Sequence, residues 1–147
     1  MKQEFSDYLN AIGCPQSMVE RVEYLIGFVQ NLYGLEATDI FVGTNQNEEN
    51  VDYTSLCLFS ENDVVECKSF MSTIDVDIVK FKENISYFYM KYNSVDYSGV
   101  NEGAPNTLRV KCLIPNSEVS FLLVAFRENT KYLDSLTKKV IIPNIIK

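Results

Sequence analysis

Histidine and tryptophan are both absent from this chain of 147 residues. Histidine is the side chain that most often serves as a general base near neutral pH, and it is the commonest metal ligand. Its absence excludes imidazole chemistry, including a Ser-His-Asp triad. Any general base would instead be a carboxylate, tyrosine, cysteine or lysine with a shifted pKa. The sequence therefore favours binding over catalysis, and we assign no catalytic residue, no metal site and no cofactor.

Long apolar runs and a basic, apolar leader are also missing. No stretch approaches the roughly 20 apolar residues of a membrane-spanning helix, and the first residues lack the pattern of a signal peptide. We therefore expect no membrane span and a cytoplasmic location, where thiols stay reduced. The four cysteines form no Cys-x-x-Cys pair, which argues against a zinc site. Cys57 and Cys67 are spaced to face each other across a hairpin, although small apolar strand residues are the simpler interpretation.

Positive charge is scarce, because 13 basic residues stand against 20 acidic ones and the formal net charge is -7. A general nucleic-acid binder needs a net cationic surface, so we expect no nucleic-acid partner. A hydrophobic share of 46% and a charged share of 22% indicate a folded chain. The length suits a single domain, 1–147, in which a helical addition (1–34) precedes a β-rich core (35–147).

The spacing of apolar residues predicts two helices, then strands, then a last helix. Residues 2–12 form the first helix, and the second begins at a capping box, Ser17–Glu20, and ends at Gly34. Asn129 or Thr130 caps the last helix. Between the helices a period of two predicts seven strands, which are Asp39–Thr44, Tyr53–Ser60, Val64–Phe70, Ile74–Phe81, Ile85–Tyr92, Thr107–Ile114 and Val119–Phe126.

Seven strands joined mostly by tight turns imply an α+β fold with an antiparallel meander, which closes as a barrel or roll or splits into two packed sheets. The order of seven strands and one helix resembles the pleckstrin-homology-like superfold over Asp39–Ile142. The run Phe126–Asn129, which leads from the last strand to the helix, is similar to that of some bacterial and GRAM-like members. The resemblance implies a barrel capped by the C-terminal helix. An α+β roll with a cone-shaped ligand cavity is the alternative.

Phosphoinositide-binding members of this superfold place Lys and Arg in the loop after the first strand. The corresponding loop here, 45–52, contains no basic residue, which argues against phosphoinositide binding. It carries Glu48, Glu49 and Asp52, and a second acidic loop lies at 96–102. Acidic loops steer basic partners, so we assign these three residues to partner binding. The first loop lacks the central Gly and distal Glu of a calcium-binding loop, so no metal is assigned to it.

The fifth strand supplies two further partner-binding candidates, Tyr87 and Tyr89, because exposed tyrosines are adaptable contact residues. A period of two places both on the same face as Lys91. The sequence also predicts an anion-binding strip, whose members are Lys80, Lys82, Lys91, Arg109 and Lys111. Ordinary cross-strand pairing of these cations with acidic residues is the alternative interpretation.

The fourth strand carries Asp75 and Asp77, which are two residues apart and therefore share a face. Paired carboxylates either face solvent or share a proton or a divalent cation. A hydrolase or lyase built on these aspartates is thus one possible function.

Taken together, these features predict a non-enzymatic interaction module that binds a protein partner through its acidic loops or a strand–helix groove. An immunity or inhibitor protein that masks a basic active site belongs to this class. A small-molecule or lipid carrier with an aromatic-lined cavity is the main alternative. The identity of the partner and the oligomeric state do not follow from the sequence.

Overall fold

The computed structural model describes residues 1–47, 50–94, 106–115 and 120–146. The helices are α1 (Gln3–Ala11), α2 (Gln16–Tyr33) and α3 (Asn129–Leu136). The strands are β1 (Asp39–Asn47), β2 (Asn50–Phe59), β3 (Asp63–Lys68), β4 (Val76–Lys80), β5 (Tyr87–Ser94), β6 (Asn106–Leu113) and β7 (Ser120–Phe126). A π-helical turn, Thr137–Ile141, and a 3-10 turn, Ile142–Asn144, follow α3.

The strands form two antiparallel sheets, in each of which sequence neighbours are also spatial neighbours. One sheet has the order β1-β2-β3-β4 and the other has the order β5-β6-β7. The predicted α+β class is confirmed, and of the arrangements that the sequence left open the structure shows two antiparallel sheets. A closed barrel is not found in the part of the chain that the structure describes.

The chain divides into two compact units. The first comprises Met1–Val42 and Thr54–Lys82, so it holds both N-terminal helices and most of the four-stranded sheet. The second comprises Gly43–Tyr53 and Glu83–Lys147, and it holds the three-stranded sheet and α3. None of the helices in the described residues is both long enough and apolar enough to cross a lipid bilayer.

Polar contacts join the N-terminal helices to the strands of the first unit. The Tyr8 hydroxyl of α1 accepts a hydrogen bond of 3.0 Å from the Val42 N–H of β1. The Arg21 guanidinium of α2 donates to the carbonyl oxygens of Phe70 (2.7 Å) and Thr73 (2.9 Å). Both helices also bury an apolar stripe, formed by Phe5, Tyr8 and Leu9 in α1 and by Met18, Val19, Val22, Leu25 and Val29 in α2.

The start of α2 differs from the prediction, whereas its end agrees. Pro15 occupies the N-cap position and no side chain caps the helix, so the predicted capping box at Ser17 is wrong. Proline has a fixed φ, here -65°, and no N–H, which suits the beginning of a helix. Gly34 ends α2 in the left-handed conformation (φ 75°), which glycine adopts without steric cost.

The β2–β3 hairpin places its two cysteines on opposite faces of the sheet. A backbone hydrogen bond of 2.9 Å closes the turn 60–63, and the register pairs Leu56 with Cys67 and Cys57 with Glu66. Successive strand residues alternate between faces, so Cys57 and Cys67 do not face each other, and the simpler interpretation of two small strand residues agrees with the register. All four cysteines are free, buried thiols.

The predicted acidic loop 45–52 is largely part of the β1–β2 hairpin. β1 continues to Asn47 and β2 begins at Asn50. Asparagine and aspartate have low β-propensity, which is why the sequence favours a loop, but strand pairing outweighs propensity here. Glu48 and Glu49, two of the predicted partner-binding residues, lie outside the described residues.

In the second unit, α3 packs against β6 and β7. The sheet turns a row of buried apolar side chains to the core, namely Leu108, Val110 and Cys112 of β6 and Phe121, Leu123 and Ala125 of β7. Leu133 and Leu136 of α3 are buried as well. The alternation of buried and exposed residues in β6 and β7 is that of strands with one face on a core.

One buried threonine joins β1, β7 and α3 within this unit. The Thr44 Oγ1 atom accepts hydrogen bonds from the Phe126 N–H at 3.0 Å and from the Asn129 side-chain amide at 3.1 Å. Thr44 and Asn129 are each 1% exposed, so this oxygen satisfies two donors that water does not reach. Asn129 is the first helical residue and Glu128 holds the N-cap position without a side-chain bond, so the predicted cap is wrong.

The segment after α3 returns to the residues that precede β5. The Ile85 N–H donates to the Asn144 carbonyl at 3.0 Å, and the Ile146 N–H donates to the Ile85 carbonyl at 2.8 Å. These two bonds form a parallel bridge between Ile85 and Ile145. The outer edge of the three-stranded sheet is therefore occupied at Ile85.

Replacing Thr44 with valine tests the buried hydrogen bonds. Valine keeps the shape but removes the oxygen that accepts from the Phe126 N–H and the Asn129 amide. We expect Thr44→Val to lower the free energy of unfolding by about 1–3 kcal/mol, because the buried Phe126 N–H loses this acceptor. Urea denaturation measures the loss. Thr44→Ser, which keeps the oxygen, and the exposed Thr54→Val serve as controls, and an equal loss in either would contradict this account.

Thiol titration tests whether all four cysteines are free, as the structure shows. We expect the chain to show four reactive thiols in denaturant without reductant, and almost none while it is folded, because all four are buried. A chromogenic disulfide reagent counts them by absorbance. A count of two in denaturant would reveal a disulfide and would contradict the assignment of four free thiols.

Candidate binding site

The outward side of the β5-β6-β7 sheet is cationic and aromatic. In β6, buried residues alternate with Arg109, Lys111 and Leu113, which are exposed. The register extends this side to both neighbouring strands, because residues directly opposite each other share a face. We call this surface the cationic sheet face. Its residues are Tyr87, Tyr89 and Lys91 of β5, Arg109, Lys111 and Leu113 of β6, and Leu122 and Val124 of β7.

Two cations face each other across the first pair of strands on this surface. Lys91 is directly opposite Arg109, and Tyr89 is directly opposite Lys111. Arg109 and Lys111 are two residues apart on one strand, so the three cations are neighbours on one face. Like charges directly opposite each other destabilise a sheet. The arrangement therefore costs stability as long as nothing neutralises it.

Carboxylates do not compensate these charges within the described residues. Ion pairs there involve other cations, namely the terminal ammonium group and Lys68, Lys82, Lys131 and Lys138. The cationic sheet face itself contains no acidic residue. Cross-strand pairing with acidic residues, the alternative to anion binding, therefore does not describe Lys91, Arg109 and Lys111 in this part of the chain.

The remaining members of the predicted anion-binding strip belong to the other unit. Lys80 ends β4, where the register places it opposite Asp63. The Lys82 ammonium is 3.2 Å from a carboxylate oxygen of Glu61. The structure thus brings together Lys91, Arg109 and Lys111, and it places Lys80 and Lys82 among acidic neighbours in the first unit.

Exposed aromatic and apolar side chains lie beside the cations. Tyr87 and Tyr89 are 46% and 47% exposed, and Leu122 is 56% exposed. A period of two in the sequence places the tyrosines and Lys91 on one strand face, and likewise Arg109 and Lys111, but it does not show that Leu122 is exposed beside them. The run 121–126 is apolar throughout, which predicts burial on both faces, whereas β7 exposes alternate residues. Only the register with β6 reveals that Leu122 lies opposite Lys111.

The predicted aspartate pair lies in the first unit beside Glu66. Asp77 is directly opposite Glu66, and Lys68 Nζ is 3.6 Å from the Asp77 carboxylate. Burial raises the pKa of Glu66, the Lys68 ammonium lowers it, and the charges of Asp77 and Asp75 raise it further. The described residues contain no group of three or more acidic or thiol side chains arranged to hold a metal ion.

Burial also suppresses thiol reactivity. It raises the pKa of Cys14 and of Cys112 to about 12 and that of Cys67 to about 11. For Cys57, burial raises the pKa well above the usual range, and nearby Glu66 and Cys67 add to the shift. The nucleophile is the thiolate, so none of these cysteines is activated at neutral pH.

A second surface feature is an open groove of about 570 Å³ on the outer side of α2. Among the residues that the structure describes, its lining comes from this one helix, namely Glu23, Tyr24, Gly27, Phe28, Asn31 and Leu32. A ligand carrier buries most of its ligand in a concave pocket, whereas one helix offers a single wall. The groove therefore does not correspond to the strand-lined cavity of the predicted carrier.

The remaining partner-binding candidates are distributed differently. Asp52 is exposed on β2, and Glu48, Glu49 and the loop 96–102 lie outside the described residues. Comparison with protein-family models, with curated proteins and with solved structures found no match for this chain. The chemistry of the cationic sheet face is therefore the basis for a functional assignment.

Substitution of Glu66 by glutamine tests the acidic cluster of the first unit. The raised pKa means that the folded state favours the neutral acid, so ionisation costs stability as the pH rises above the ordinary value of 4.5. We expect Glu66→Gln to raise Tm at pH 7 by about 2 °C, a small effect because the side chain is half-exposed. The gain should vanish as the pH falls below 4.5.

Thermal unfolding at several pH values measures the Glu66 effect. Glu36→Gln is the control, because Glu36 is exposed in the segment between α2 and β1. A pH-independent gain, or an equal gain in the control, would contradict a role for ionisation of Glu66.

Proposed function

We propose that this protein is a non-enzymatic interaction module that binds an acidic segment of a partner protein on the cationic sheet face. The observation that carries the proposal is the cross-strand pair of Lys91 and Arg109, with Lys111 beside it and no carboxylate among the described residues of the face. An anionic ligand across this pair relieves its repulsion and gains charge-assisted hydrogen bonds.

The apolar part of the face supports a protein ligand. Tyr87, Tyr89 and Leu122 offer aromatic and aliphatic contact area next to the cations. Aromatic residues and arginine are enriched at protein interfaces and carry much of their binding energy. A long polyanion such as a nucleic acid is repelled by the net charge of -7 of the whole chain. A short acidic segment interacts mainly with the charges of this face.

The proposal keeps the expected class of function and changes the binding surface. The proposal does not use the acidic loops, because most of their residues lie outside the described part of the chain. Raised thiol pKa values support a role in binding over one in catalysis. An immunity or inhibitor protein remains one version of this class, now with an acidic segment as its target.

Two further expectations belong to the same proposal. We infer a pleckstrin-homology-like arrangement, which is supported by the order of seven strands and by the helix that follows the last one. We also infer a cytoplasmic location, which is supported by four free thiols, because structural disulfides are rare in that compartment.

Binding of a labelled peptide tests the proposed function. The probe is a peptide of about 15 residues rich in Glu and Val, compared by fluorescence anisotropy with a peptide in which Gln replaces every Glu. We expect the acidic peptide to bind more tightly, with an affinity that falls as salt is added. Lys91→Ala/Arg109→Ala should weaken it about fivefold to thirtyfold, because two contacts of roughly 0.5–1 kcal/mol each are lost.

The matched control is Lys80→Ala/Lys82→Ala, which removes the same charge from the first unit. We expect it to leave binding within about twofold of the unmodified protein. Equal binding of the acidic and neutral peptides, or an equal loss in both double variants, would overturn the proposed function.

A further inference from the structure

We propose that the acidic segment binds as an added β-strand along the outer edge of β5, with acidic and apolar residues in alternation. This inference rests on the proposed function and names the form of its ligand. The strand order of the three-stranded sheet is β5-β6-β7, so β5 is an edge strand. Edge strands present unpaired backbone groups, and an extended peptide can pair with them.

The outer edge of the sheet is already used for strand pairing at one point, just before β5 begins. The Ile85 N–H donates to the Asn144 carbonyl and the Ile85 carbonyl accepts from the Ile146 N–H, on the side away from β6. The parallel bridge to Ile145 is limited to this residue. Beyond it, no second strand pairs with β5 in the described part of the chain. The geometry of this edge is thus compatible with pairing to a further strand. Most of the length of β5 has no such strand in the described part of the chain.

The backbone groups of β6 show which residues of β5 point outward. The Arg127 N–H donates to the Asn106 carbonyl at 3.0 Å, so the backbone groups of Asn106 point to β7. Alternation along the strand then directs those of Arg109, Lys111 and Leu113 to β5. The Ser86 N–H, which donates to the Leu113 carbonyl at 2.9 Å, agrees with this direction.

The β5 residues that pair with these β6 residues direct their backbone N–H and carbonyl groups to β6. The backbone groups of the β5 residues between them therefore point outward. Tyr87, Tyr89 and Lys91 are the partners, and the outward backbone groups are those of Phe88, Met90 and Tyr92. Ser86 and Tyr87 both face one residue of β6, as in a β-bulge, so the outward direction shifts by one residue after Ile85. No backbone partner of these three outward residues lies in the described part of the chain.

The side chains of the outward residues explain why the ligand needs apolar residues. Met90 and Tyr92 lie on the core side of the sheet, yet they are 37% and 60% exposed. A strand added beside β5 covers them with every second side chain. Its other side chains fall on the opposite face, beside Tyr89 and Lys91, where acidic groups are favoured. Alternation of acidic and apolar residues follows directly from these two faces.

Charge also decides against a second copy of this chain as the occupant. Pairing of β5 with another β5 would bring two Lys91 side chains, each already opposite an Arg109, onto one face. Like charges on neighbouring strands destabilise such a pair. An acidic strand neutralises the same side chains.

Peptide analogues separate edge pairing from simple charge attraction. The first probe alternates Glu and Val over about eight residues, and the second has the same composition with the residues grouped in blocks. Two more alternating peptides carry methyl groups on the backbone nitrogens of either all Glu or all Val residues. We expect the alternating peptide to bind at least about tenfold tighter than the block peptide. Methylation of only one of the two sets should abolish binding, because one edge of the added strand faces β5.

A proline substitution tests the same edge on the protein. The Met90 N–H points outward, so Met90→Pro removes no hydrogen bond between β5 and β6, and edge positions of this kind tolerate proline. We expect Met90→Pro to lose at least about tenfold in affinity for the alternating peptide, while Met90→Ala keeps the N–H and loses less. Hydrogen exchange should show slowed exchange of the Met90 amide in the complex. If Met90→Pro does not fold, the methylated peptides carry the test on the unmodified protein.

The outcomes distinguish this inference from the proposed function. If both methylated peptides bind as tightly as the unmethylated one while Lys91→Ala/Arg109→Ala weakens binding, edge pairing is wrong and the proposed function stands. If the double variant binds every peptide unchanged, the proposed function fails.

If an oligothymidylate of about 12 nucleotides binds more tightly than any peptide and loses affinity in the double variant, the ligand is a nucleic acid and both proposals are overturned. Dimerisation of the free protein that Met90→Pro abolishes would identify a second copy as the occupant and overturn the edge proposal.

Discussion

The alternation of β6 is the constraint on which the second unit depends. Leu108, Val110 and Cys112 are buried, while Arg109 and Lys111 between them are exposed. A register slip of one residue would bury two cations and expose the apolar row, which costs far more than any local rearrangement recovers. The same constraint fixes the register of β5 and β7 on either side, and the register determines which side chains make up the cationic sheet face.

The two units deal with surface charge in different ways. In the first, Glu66 and Asp77 face each other, and Lys68 compensates part of their repulsion at 3.6 Å from Asp77. In the second, Lys91 and Arg109 face each other without a carboxylate in the described residues. A protein with a net charge of -7 has many acidic side chains with which it could neutralise three cations. Leaving them uncompensated has a physical rationale when an outside anion supplies the missing charge.

Periodicity predicted much of the fold, because burial of one face imposes it directly. The strand faces of Tyr87, Tyr89 and Lys91 follow from a period of two, and the buried stripe of α2 follows from helical spacing. Features set by contacts distant in sequence did not follow. Whether β4 pairs with β5 is decided by tertiary packing, and so is the division into two sheets.

Register and capping were the least predictable features. The faces of Cys57 and Cys67 depend on a turn whose register differs by one residue from the one that would pair them. Asn129 has the residue type of a helix cap, but its amide donates to a threonine 85 positions earlier in the chain. The cationic sheet face was predicted in part, since its tyrosines and cations follow a simple pattern. Leu122 did not follow, because an apolar run alone does not show which side faces solvent.

The Thr44 hydroxyl has a consequence for how relatives of this chain can be recognised. Its oxygen serves donors from β7 and from the start of α3, so the residue types at 44 and 129 constrain each other. The surface of such a domain is free to diverge, whereas this pair is not. Descendants of the same ancestor should therefore keep a hydroxyl residue late in the first strand together with an asparagine three residues after the aromatic end of the last strand. Joint retention of these two residues should therefore be a more durable mark of kinship than overall identity.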